Sequence, residues 1–228
     1  MNCIHCNRKV MRRPLGYMSA GTFTKIIDEL SAHQESTLVI GGLGEPSVHP
    51  HLGEMLDQLK KRQIKNTMFS TNGSLLRFFS PEQILTWNIQ TIVVSIDGLD
   101  SESYSQIRIG GNYDGLRECL HNLYCARKSL KKVFPIIEIR HVIFPNETAA
   151  QLRKFQRHWL KYADTVKYNF VVPSFSTIEF PTEELRRCRE IRRTLYVRWD
   201  GRVPLCGYQY LYSEAESLGN IDNYSIEE

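Results

Sequence analysis

Long apolar runs are what this 228-residue sequence lacks. No stretch approaches the roughly 18 consecutive apolar residues of a membrane-spanning helix, and no apolar signal-peptide segment follows Met1. Internal repeats and low-complexity tracts are also absent. We therefore expect a globular, cytoplasmic protein with no membrane partner.

A strong charge imbalance is missing as well. The 29 Lys and Arg residues only slightly exceed the 25 Asp and Glu residues, so nucleic-acid binding is not expected. A basic run at residues 186–193 is typical of a solvated helix face, with contact to an acidic peptide or phosphorylated substrate as the alternative. The hydrophobic content of 42% suffices for one α/β domain, with or without a small appendage.

Six cysteines in a reducing compartment indicate metal or cluster ligation rather than disulfides. Cys119 and Cys125 fall within a helical pattern and are expected to be buried small hydrophobic residues. Cys3 and Cys6 form a C-x-x-C pair whose thiolates can bind one soft metal centre. By itself this pair is equally consistent with half a zinc site, a redox dithiol or two ordinary thiols.

Apolar segments of strand length alternate with helical patterns, which is typical of a parallel sheet with right-handed crossovers. The predicted strands are residues 37–40, 67–70, 91–96, 136–144 and 165–172. The predicted helices are residues 22–33, 52–63, 81–87, 101–107, 113–131 and 147–162. Gly, Ser, Thr, Asn or Asp gather beyond the carboxyl ends of the first three strands. Each loop alone is only a turn that needs glycine, but ligands of parallel α/β folds bind at this edge.

The composition changes from about residue 174. We predict a loop at 174–181, a basic helix at 182–193, and a hairpin of residues 195–197 and 202–205 about Asp200-Gly201. A further extended piece is expected at residues 218–221. These residues are too few to bury a core of their own.

Four motifs follow one another along the chain. They are Cys3-x-x-Cys6, the Gly-Leu-Gly-Glu-Pro loop at 42–46, the strand ends 70–73 and 95–98, and Cys188-x12-Gly201-x4-Cys206. Together they resemble the motifs of the radical S-adenosylmethionine (SAM) enzymes that carry a C-terminal SPASM or shorter twitch extension. The family counterparts are the end of the C-x3-C-x2-C motif, the GGE motif, two strand-end segments and the C-x9–15-G-x4-C opening of the extension. The resemblance covers nearly the whole chain.

The resemblance implies an α/β fold: a partial (β/α)6 TIM-like parallel barrel over residues 1–173, lacking its first strand. A small C-terminal β-hairpin extension would follow over residues 174–228, as an incomplete SPASM/twitch domain. The first cysteine of the family motif would fall four residues before Cys3, and the remaining cysteines of the extension would fall beyond Glu228. We therefore expect the sequence to be truncated at both ends.

The resemblance also implies cofactors and a reaction. Cys3 and Cys6 would be two of three thiolates on a [4Fe–4S] cluster whose open iron chelates the amine and carboxylate of SAM. Reductive cleavage of SAM would give a 5′-deoxyadenosyl radical that takes a hydrogen atom from a peptide, protein or small-molecule substrate. A flavodoxin- or ferredoxin-type reductant would supply the electron. Cys188 and Cys206 would hold an auxiliary [4Fe–4S] cluster, with zinc as the alternative.

The SAM-binding residues are carried over from the same motifs. Gly42 and Gly44 would let the backbone approach SAM, and Glu45 would accept a hydrogen bond from its ammonium group. A helix-capping or solvated carboxylate is the alternative for Glu45. Ser95 would bind ribose or carboxylate, or is an ordinary turn serine.

Two arginines are candidates to pair with the SAM carboxylate, because a guanidinium can grip a carboxylate bidentately. They are Arg108, which is otherwise expected to cap its short helix, and Arg140. Asn72 is expected to support its turn more than to contact ligand. His5 is expected to pack against cluster or adenine. Three other histidines are expected at the surface or in loops: His49, His51 and His141.

Two hypotheses without radical chemistry stay open at this point. One is a barrel that binds nucleotide or peptide and is catalytically incomplete because the third cysteine is missing. The other is a zinc-binding module with structural cysteines only.

Overall fold

The computed structural model describes residues 1–11, 13–170, 189, 192–207 and 217–226. Cys188, the predicted loop 174–181 and most of the predicted basic helix lie outside the described residues. The chain divides into two compact units. Unit 1 comprises Met1–Cys6 and Gln34–Val171, and unit 2 comprises Asn7–His33 and Val172–Glu228. The predicted functional division at residue 173 stays a prediction.

Strands and helices alternate along the chain. The strands are β1 (Asn2–Cys3), β2 (Leu38–Ile40), β3 (Thr67–Thr71), β4 (Thr91–Ser95), β5 (Arg108–Ile109), β6 (Ile136–Ile143), β7 (Thr165–Phe170), β8 (Arg202–Val203) and β9 (Gly219–Asn220). The α-helices are α1 (Ala20–Ala32), α2 (Leu52–Lys61), α3 (Leu75–Phe78), α4 (Pro81–Ile84), α5 (Ser101–Ile107), α6 (Tyr113–Ser129) and α7 (Ala149–Trp159). Among the described residues, no helix is both long enough and apolar enough to cross a membrane.

A five-stranded parallel sheet with the order β2-β3-β4-β6-β7 forms the centre of unit 1. In its central strand β4, the side chains of Ile92, Val93 and Val94 are fully inaccessible to solvent. Strands that are covered on both faces read as continuous apolar runs, which is why the sequence pattern located them. The predicted α/β fold with a partial parallel barrel is confirmed.

Side-chain caps begin the helices that surround this sheet. Asp100 and Ser103 form a capping box at the start of α5, and Thr148 and Gln151 form one at the start of α7. Each box satisfies backbone N–H groups that have no partner within the helix. Helix α3 was not predicted, because four residues carry no helical periodicity.

The expectation for Cys119 and Cys125 was wrong. Cys125 is exposed and Cys119 is only half-buried. The buried stripe of α6 runs through Leu116, Leu120 and Leu123, and neither cysteine falls on that face. The helix was predicted correctly, but its rotational phase was not.

Unit 2 contains α1 and the antiparallel pair of β8 and β9. Ser19 caps α1, and the Thr22 hydroxyl donates to Asp222 Oδ2 at 3.2 Å. The turn at Asp200-Gly201 is present, but β8 pairs antiparallel with β9 rather than with residues 195–197. Asn220 Nδ2 donates to the Asp200 carbonyl at 3.0 Å, and such a contact between distant residues cannot be read from a local pattern.

The ion pair between Arg127 and Asp164 gives a test of the packing. The Asp164 carboxylate accepts hydrogen bonds from Nη1 and Nη2 of the buried Arg127 at 2.5 and 2.7 Å, and from Ile137 N. Asp164→Ala should lower the free energy of unfolding by at least about 2 kcal/mol, because it leaves a buried charge without its partner. Asp114→Ala, which breaks an exposed pair with Arg117, should cost less than about 1 kcal/mol. Urea denaturation measures both values, and equal losses would contradict this account of the core.

Candidate active site

The Cys3-x-x-Cys6 segment is held against the rest of unit 1 by a short antiparallel pairing. In the β1–β5 ladder Cys3 lies opposite Arg108, and Ile4 N donates to the Ile107 carbonyl at 3.0 Å. Cys6 N donates to the Cys3 carbonyl at 3.3 Å, so the motif forms a turn. Both cysteines are half-buried free thiols. The turn and its sulfur atoms provide two soft donors close together in the chain.

Arg108 connects this turn to the carboxyl end of β4. Its Nε and Nη2 donate to Asp97 Oδ2 at 2.8 and 2.6 Å, and its Nη1 lies 3.8 Å from Cys3 Sγ. Asp97 is fully buried and Arg108 is 4% exposed. Arg108 is also the C-cap residue of α5, which was one of the two expectations for it. Cys3 therefore lies at the carboxyl edge of the sheet.

Asp97 also binds the end of β6. Its Oδ1 accepts a hydrogen bond from Val142 N at 2.8 Å and lies 3.2 Å from His141 Nδ1. The other ring nitrogen, Nε2, is 2.9 Å from Glu147 Oε1. The expectation of a surface or loop position for His141 was wrong, since its side chain is 1% exposed and its ring lies 4.4 Å from that of Phe155.

The pKa values of this cluster follow from its charges. Burial alone would raise the pKa of Asp97, but His141, Arg108 and Val142 N outweigh it and lower that pKa below its ordinary value. Burial likewise favours neutral His141, yet Asp97 and Glu147 raise the pKa of its imidazole. Burial raises the pKa of the Cys3 thiol, and the charge of Arg108 partly opposes that rise. Asp97 is therefore an anion flanked by cationic groups.

The strand-end loop containing Asp97 needs a glycine. Gly98 has φ +126°, and a Cβ atom there would lie 2.5 Å from the backbone nitrogen of Tyr104. This close approach brings α5 back against the strand end. The Ser-Ile-Asp-Gly segment singled out in the sequence is thus the turn that places Asp97 beside Arg108.

Glu45 ends the glycine-rich loop after β2 and caps the 3-10 helix Pro46–Val48. Its Oε1 accepts hydrogen bonds from Ser47 N, Ser47 Oγ and Thr71 Oγ1 at 3.2, 2.6 and 2.8 Å. Its Oε2 accepts one from Asn72 N at 2.6 Å. Among the described residues Oε1 has three donors, two of them from Ser47, whereas Oε2 has one and can accept another. Glu45 is a cap with a free acceptor position at the carboxyl edge.

The two glycines before Glu45 border open space. Gly42 and Gly44 are exposed, and a Cβ atom at either would meet no described heavy atom within 4 Å. The backbone here is therefore accessible to a ligand. Asn72, at the end of β3, accepts hydrogen bonds from Ser74 N and Oγ at 3.0 and 2.6 Å, which is the turn-supporting contact expected of it.

Ser95 and Arg140 lie opposite each other in the β4–β6 ladder. Arg140 is bonded to Glu138 through Nε and Nη2, and Lys167 Nζ lies 2.6 Å from the same carboxylate. Because successive residues of a strand face opposite ways, Arg140 and Glu138 share the face of β6 that does not carry His141. Two cations thus share one buried carboxylate on that face, which leaves a net positive charge there.

A cavity of about 130 Å³ lies at the same edge. Its lining includes Met1, Asn72, Ser74, Arg77, Tyr104 and Asn112. Small-molecule sites usually enclose about 300–1,000 Å³, so this cavity alone is too small for a nucleoside-sized ligand. His5 is not in this lining. Its ring lies 5.6 Å from that of Phe144, and its Nε2 lies 3.7 Å from Asp97 Oδ2.

The described residues fit part of a metal centre. No group of three or more His, Cys, Asp and Glu side chains within the described part of the chain is arranged to hold a metal ion. The C-x-x-C turn nonetheless offers two thiols, the donor type that selects zinc and iron–sulfur clusters. Cys206 is half-buried in unit 2, and its predicted partner Cys188 is not among the described residues. Two thiols of the C-x-x-C turn therefore lie at the carboxyl edge.

The five-stranded parallel sheet defines the class of the protein as a partial α/β barrel, with two cysteine thiols at its carboxyl edge. The model of the radical SAM superfamily matches residues 1–158, and the chain belongs to that superfamily. This confirms the family part of the sequence prediction. SAM and an iron–sulfur cluster are the cofactors that this membership implies.

Individual relatives share much of the chain. It is 30% identical over 222 residues to "Mycofactocin maturase MftC" of Mycobacterium tuberculosis, covering 97% of this chain and 51% of the relative. It is 30% identical over 119 residues to a "Probable GTP 3',8-cyclase" of Methanococcus maripaludis, covering 52% of this chain and 39% of the relative. The chain therefore spans about half the length, or less, of these curated relatives.

The fold is also that of solved radical SAM structures. Streptococcus suis SuiB bound to its precursor peptide SuiA matches with a TM-score of 0.72 at 14% identity, covering 99% of this chain and 60% of SuiB. SuiB bound to S-adenosylmethionine matches with a TM-score of 0.61 at 16% identity, covering 97% and 61%. At these identities the likeness establishes the fold.

Sequence reasoning missed Asp97, His141 and Glu147 as a cluster. The sequence offered one signal: three titratable residues lie within one predicted strand (Glu138, Arg140 and His141), and buried partners must balance those that face the core. Arg108 was noted for a different partner. Its contact with Asp97 joins residues that are 11 positions apart on separate elements.

The raised pKa of His141 predicts a pH-dependent contribution to stability. A histidine whose pKa is raised in the folded state stabilises fully below its unfolded pKa of about 6.5, and loses that contribution as pH rises through the folded pKa. The difference in unfolding free energy between wild type and His141→Gln should therefore shrink between pH 6 and pH 9. Denaturant unfolding at both pH values measures it. The exposed His51→Gln serves as control, and a pH-independent difference for His141→Gln would contradict a charged His141.

Proposed function

We propose that this chain is the SAM-binding part of a radical SAM maturase that acts on a peptide or protein. The best-supported part is the family, which the match over residues 1–158 establishes. The peptide substrate is supported by the names of two similar proteins: the curated relative is a maturase, and SuiB was solved with a precursor peptide. A small-molecule substrate is the alternative within the same chemistry.

One observation carries the assignment of the site. The Cys3-x-x-Cys6 turn, the Glu45 loop and Ser95 all lie at the carboxyl ends of the parallel strands. This edge is where ligands of parallel α/β folds bind. A soft-metal donor pair and an accessible glycine backbone at one edge suit a cluster with SAM bound beside it.

In this proposal each residue has a binding or orienting role. Cys3 and Cys6 hold a [4Fe–4S] cluster, which when bound supplies the electron for reductive cleavage of SAM. The free acceptor position of Glu45 Oε2 receives the SAM ammonium group. The hydrogen bonds from Thr71 and Asn72 hold that carboxylate in place, so the acceptor is oriented before SAM arrives.

The remaining predicted residues would complete the SAM site. The exposed backbone at Gly42 and Gly44 receives the ligand without a side chain in the way. Ser95 binds ribose or carboxylate. Arg140 binds carboxylate, because the single charge of Glu138 does not balance the two charges of Arg140 and Lys167. Asn72 keeps the β3 turn in shape beside them.

The C-terminal extension would belong to the SPASM or twitch type. Cys188 and Cys206 would then bind an auxiliary [4Fe–4S] cluster, and a flavodoxin- or ferredoxin-type protein would be the reductant. Support comes from the Cys188-x12-Gly201-x4-Cys206 spacing and from the Asp200-Gly201 turn that the structure contains. Zinc at these cysteines is the competing assignment, and iron, sulfide and zinc analysis separates the two.

The complete protein that contains this chain, with dithionite and SAM, should release 5′-deoxyadenosine. Cys6→Ala should abolish that product, because it removes a thiolate that holds the cluster. Cys125→Ala, which alters an exposed cysteine on α6, should leave the amount of product unchanged. Anaerobic reconstitution followed by chromatography of the nucleoside makes the measurement. Undiminished 5′-deoxyadenosine from Cys6→Ala, or zinc without iron in the wild type, would overturn the proposal.

Glu45→Gln should weaken SAM binding about ten- to hundredfold, because a hydrogen bond between charged groups contributes roughly 1.5–3 kcal/mol. The matched control is Glu54→Gln, which changes an exposed carboxylate on α2. Equilibrium dialysis with labelled SAM gives both dissociation constants, and thermal unfolding shows whether the loop stays folded. An unchanged dissociation constant in a folded Glu45→Gln protein would leave Glu45 as a structural cap only.

A further inference from the structure

The guanidinium of Arg108 lies between a buried carboxylate and the sulfur of Cys3. Two of its nitrogens contact Asp97 Oδ2 at 2.8 and 2.6 Å, and the third, Nη1, is 3.8 Å from Cys3 Sγ. The planar guanidinium presents its donors in a fixed fork, so binding Asp97 on one side also aims Nη1. The β1–β5 pairing independently places Cys3 opposite Arg108. Backbone and side chain therefore agree on this contact.

The position of Arg108 is itself fixed by further charges. Asp97 is bound on its other oxygen by Val142 N and faces His141, whose far nitrogen contacts Glu147. Glu147 Oε2 in turn accepts from Phe144 N at 2.8 Å. This row of paired groups is anchored in β6 and the start of α7, so Arg108 has little freedom to turn away from the sulfur.

We propose that Arg108 is a positioning residue that stabilises negative charge on Cys3 and on the metal group that Cys3 binds. This role rests on the proposed function for the cluster, but its electrostatic basis lies in the protein alone. At 3.8 Å the contact is long for a hydrogen bond to sulfur, so its main effect is that of a nearby positive charge, which the negative charge of Asp97 offsets only in part. A cation close to a cluster and its sulfur ligands favours the reduced, more negative form.

A purely structural role for Arg108 makes a different prediction. In that case its charge would serve only to balance Asp97, and Cys3 would be indifferent to it. The two roles separate in properties of the sulfur that folding alone does not change, which are the reduction potential of the bound cluster and the reactivity of the thiol.

The test compares Arg108→Gln and Arg108→Lys with wild type and with Arg117→Gln, a matched change at an exposed arginine of α6. Each change is made in the same complete protein as the 5′-deoxyadenosine assay, which is reconstituted with iron and sulfide, and the cluster is titrated potentiometrically without SAM. Arg108→Gln should make reduction at least tenfold less favourable, a shift of about 59 mV to more negative potential for a one-electron couple. Arg108→Lys should retain most of the wild-type potential, and Arg117→Gln should retain all of it.

A second measurement needs no cluster. In the metal-free proteins, alkylation of Cys3 at one fixed pH, mapped by mass spectrometry, should be at least threefold slower in Arg108→Gln than in wild type, because the thiolate is the reactive form. Arg108→Lys should recover most of the rate. If Arg108→Gln does not fold, the double variant Asp97→Asn/Arg108→Gln, which removes both charges together, takes its place. Cys3 in the double variant should then be alkylated more slowly than Cys3 in Arg108→Lys.

The outcomes distinguish the two proposals. A wild-type protein that binds zinc but no iron–sulfur cluster overturns the proposed function, while the alkylation rates still decide the role of Arg108. An unchanged potential and an unchanged alkylation rate in a folded Arg108→Gln protein overturn the role of Arg108 and leave the proposed function standing. Equal losses in Arg108→Lys and Arg108→Gln would likewise contradict a charge-based role.

Discussion

The buried carboxylate of Asp97 is the constraint on which the candidate site depends. An ionised carboxylate without solvent contact is very unfavourable unless paired charges and N–H donors surround it. Arg108, His141 and Val142 N provide them, and they come from the end of α5 and from β6. Arg108 starts β5, which pairs with the strand that carries Cys3. The position of the cysteine turn thus follows from the need to neutralise one aspartate.

The two faces of β6 differ in burial and in charge. On one face His141 stacks on Phe155 and joins the Asp97 cluster, which is closed to solvent. On the other face Arg140 is 32% exposed and shares Glu138 with the exposed Lys167. Strand geometry forces this alternation, because neighbouring side chains point to opposite sides. A single eight-residue strand therefore carries a buried charge cluster on one face and partly exposed positive charge on the other.

Much of the fold could be predicted from sequence because it rests on local patterns. The five central strands contain apolar segments of strand length, and parallel strands bring Glu45 and Ser95 to one edge by topology alone. The Asp97–Arg108–His141 cluster could not be predicted, since it joins residues 11 and 44 positions from Asp97 on separate elements. The two-residue strands β1 and β5 carry no periodic signal, and the phase of α6 misled the assignment of Cys125.

The two arginines first considered for the SAM carboxylate are not equivalent. Arg108 uses two nitrogens on a fully buried carboxylate that also faces His141, and its remaining donor faces sulfur. Arg140 shares one carboxylate with Lys167, and the pair keeps an unbalanced positive charge on a partly open face. An incoming carboxylate gains most where positive charge is uncompensated and least where it must compete with Asp97. Within the proposed function, Arg140 is therefore the better placed of the two for an incoming carboxylate, and Arg108 is the one that faces the cysteine.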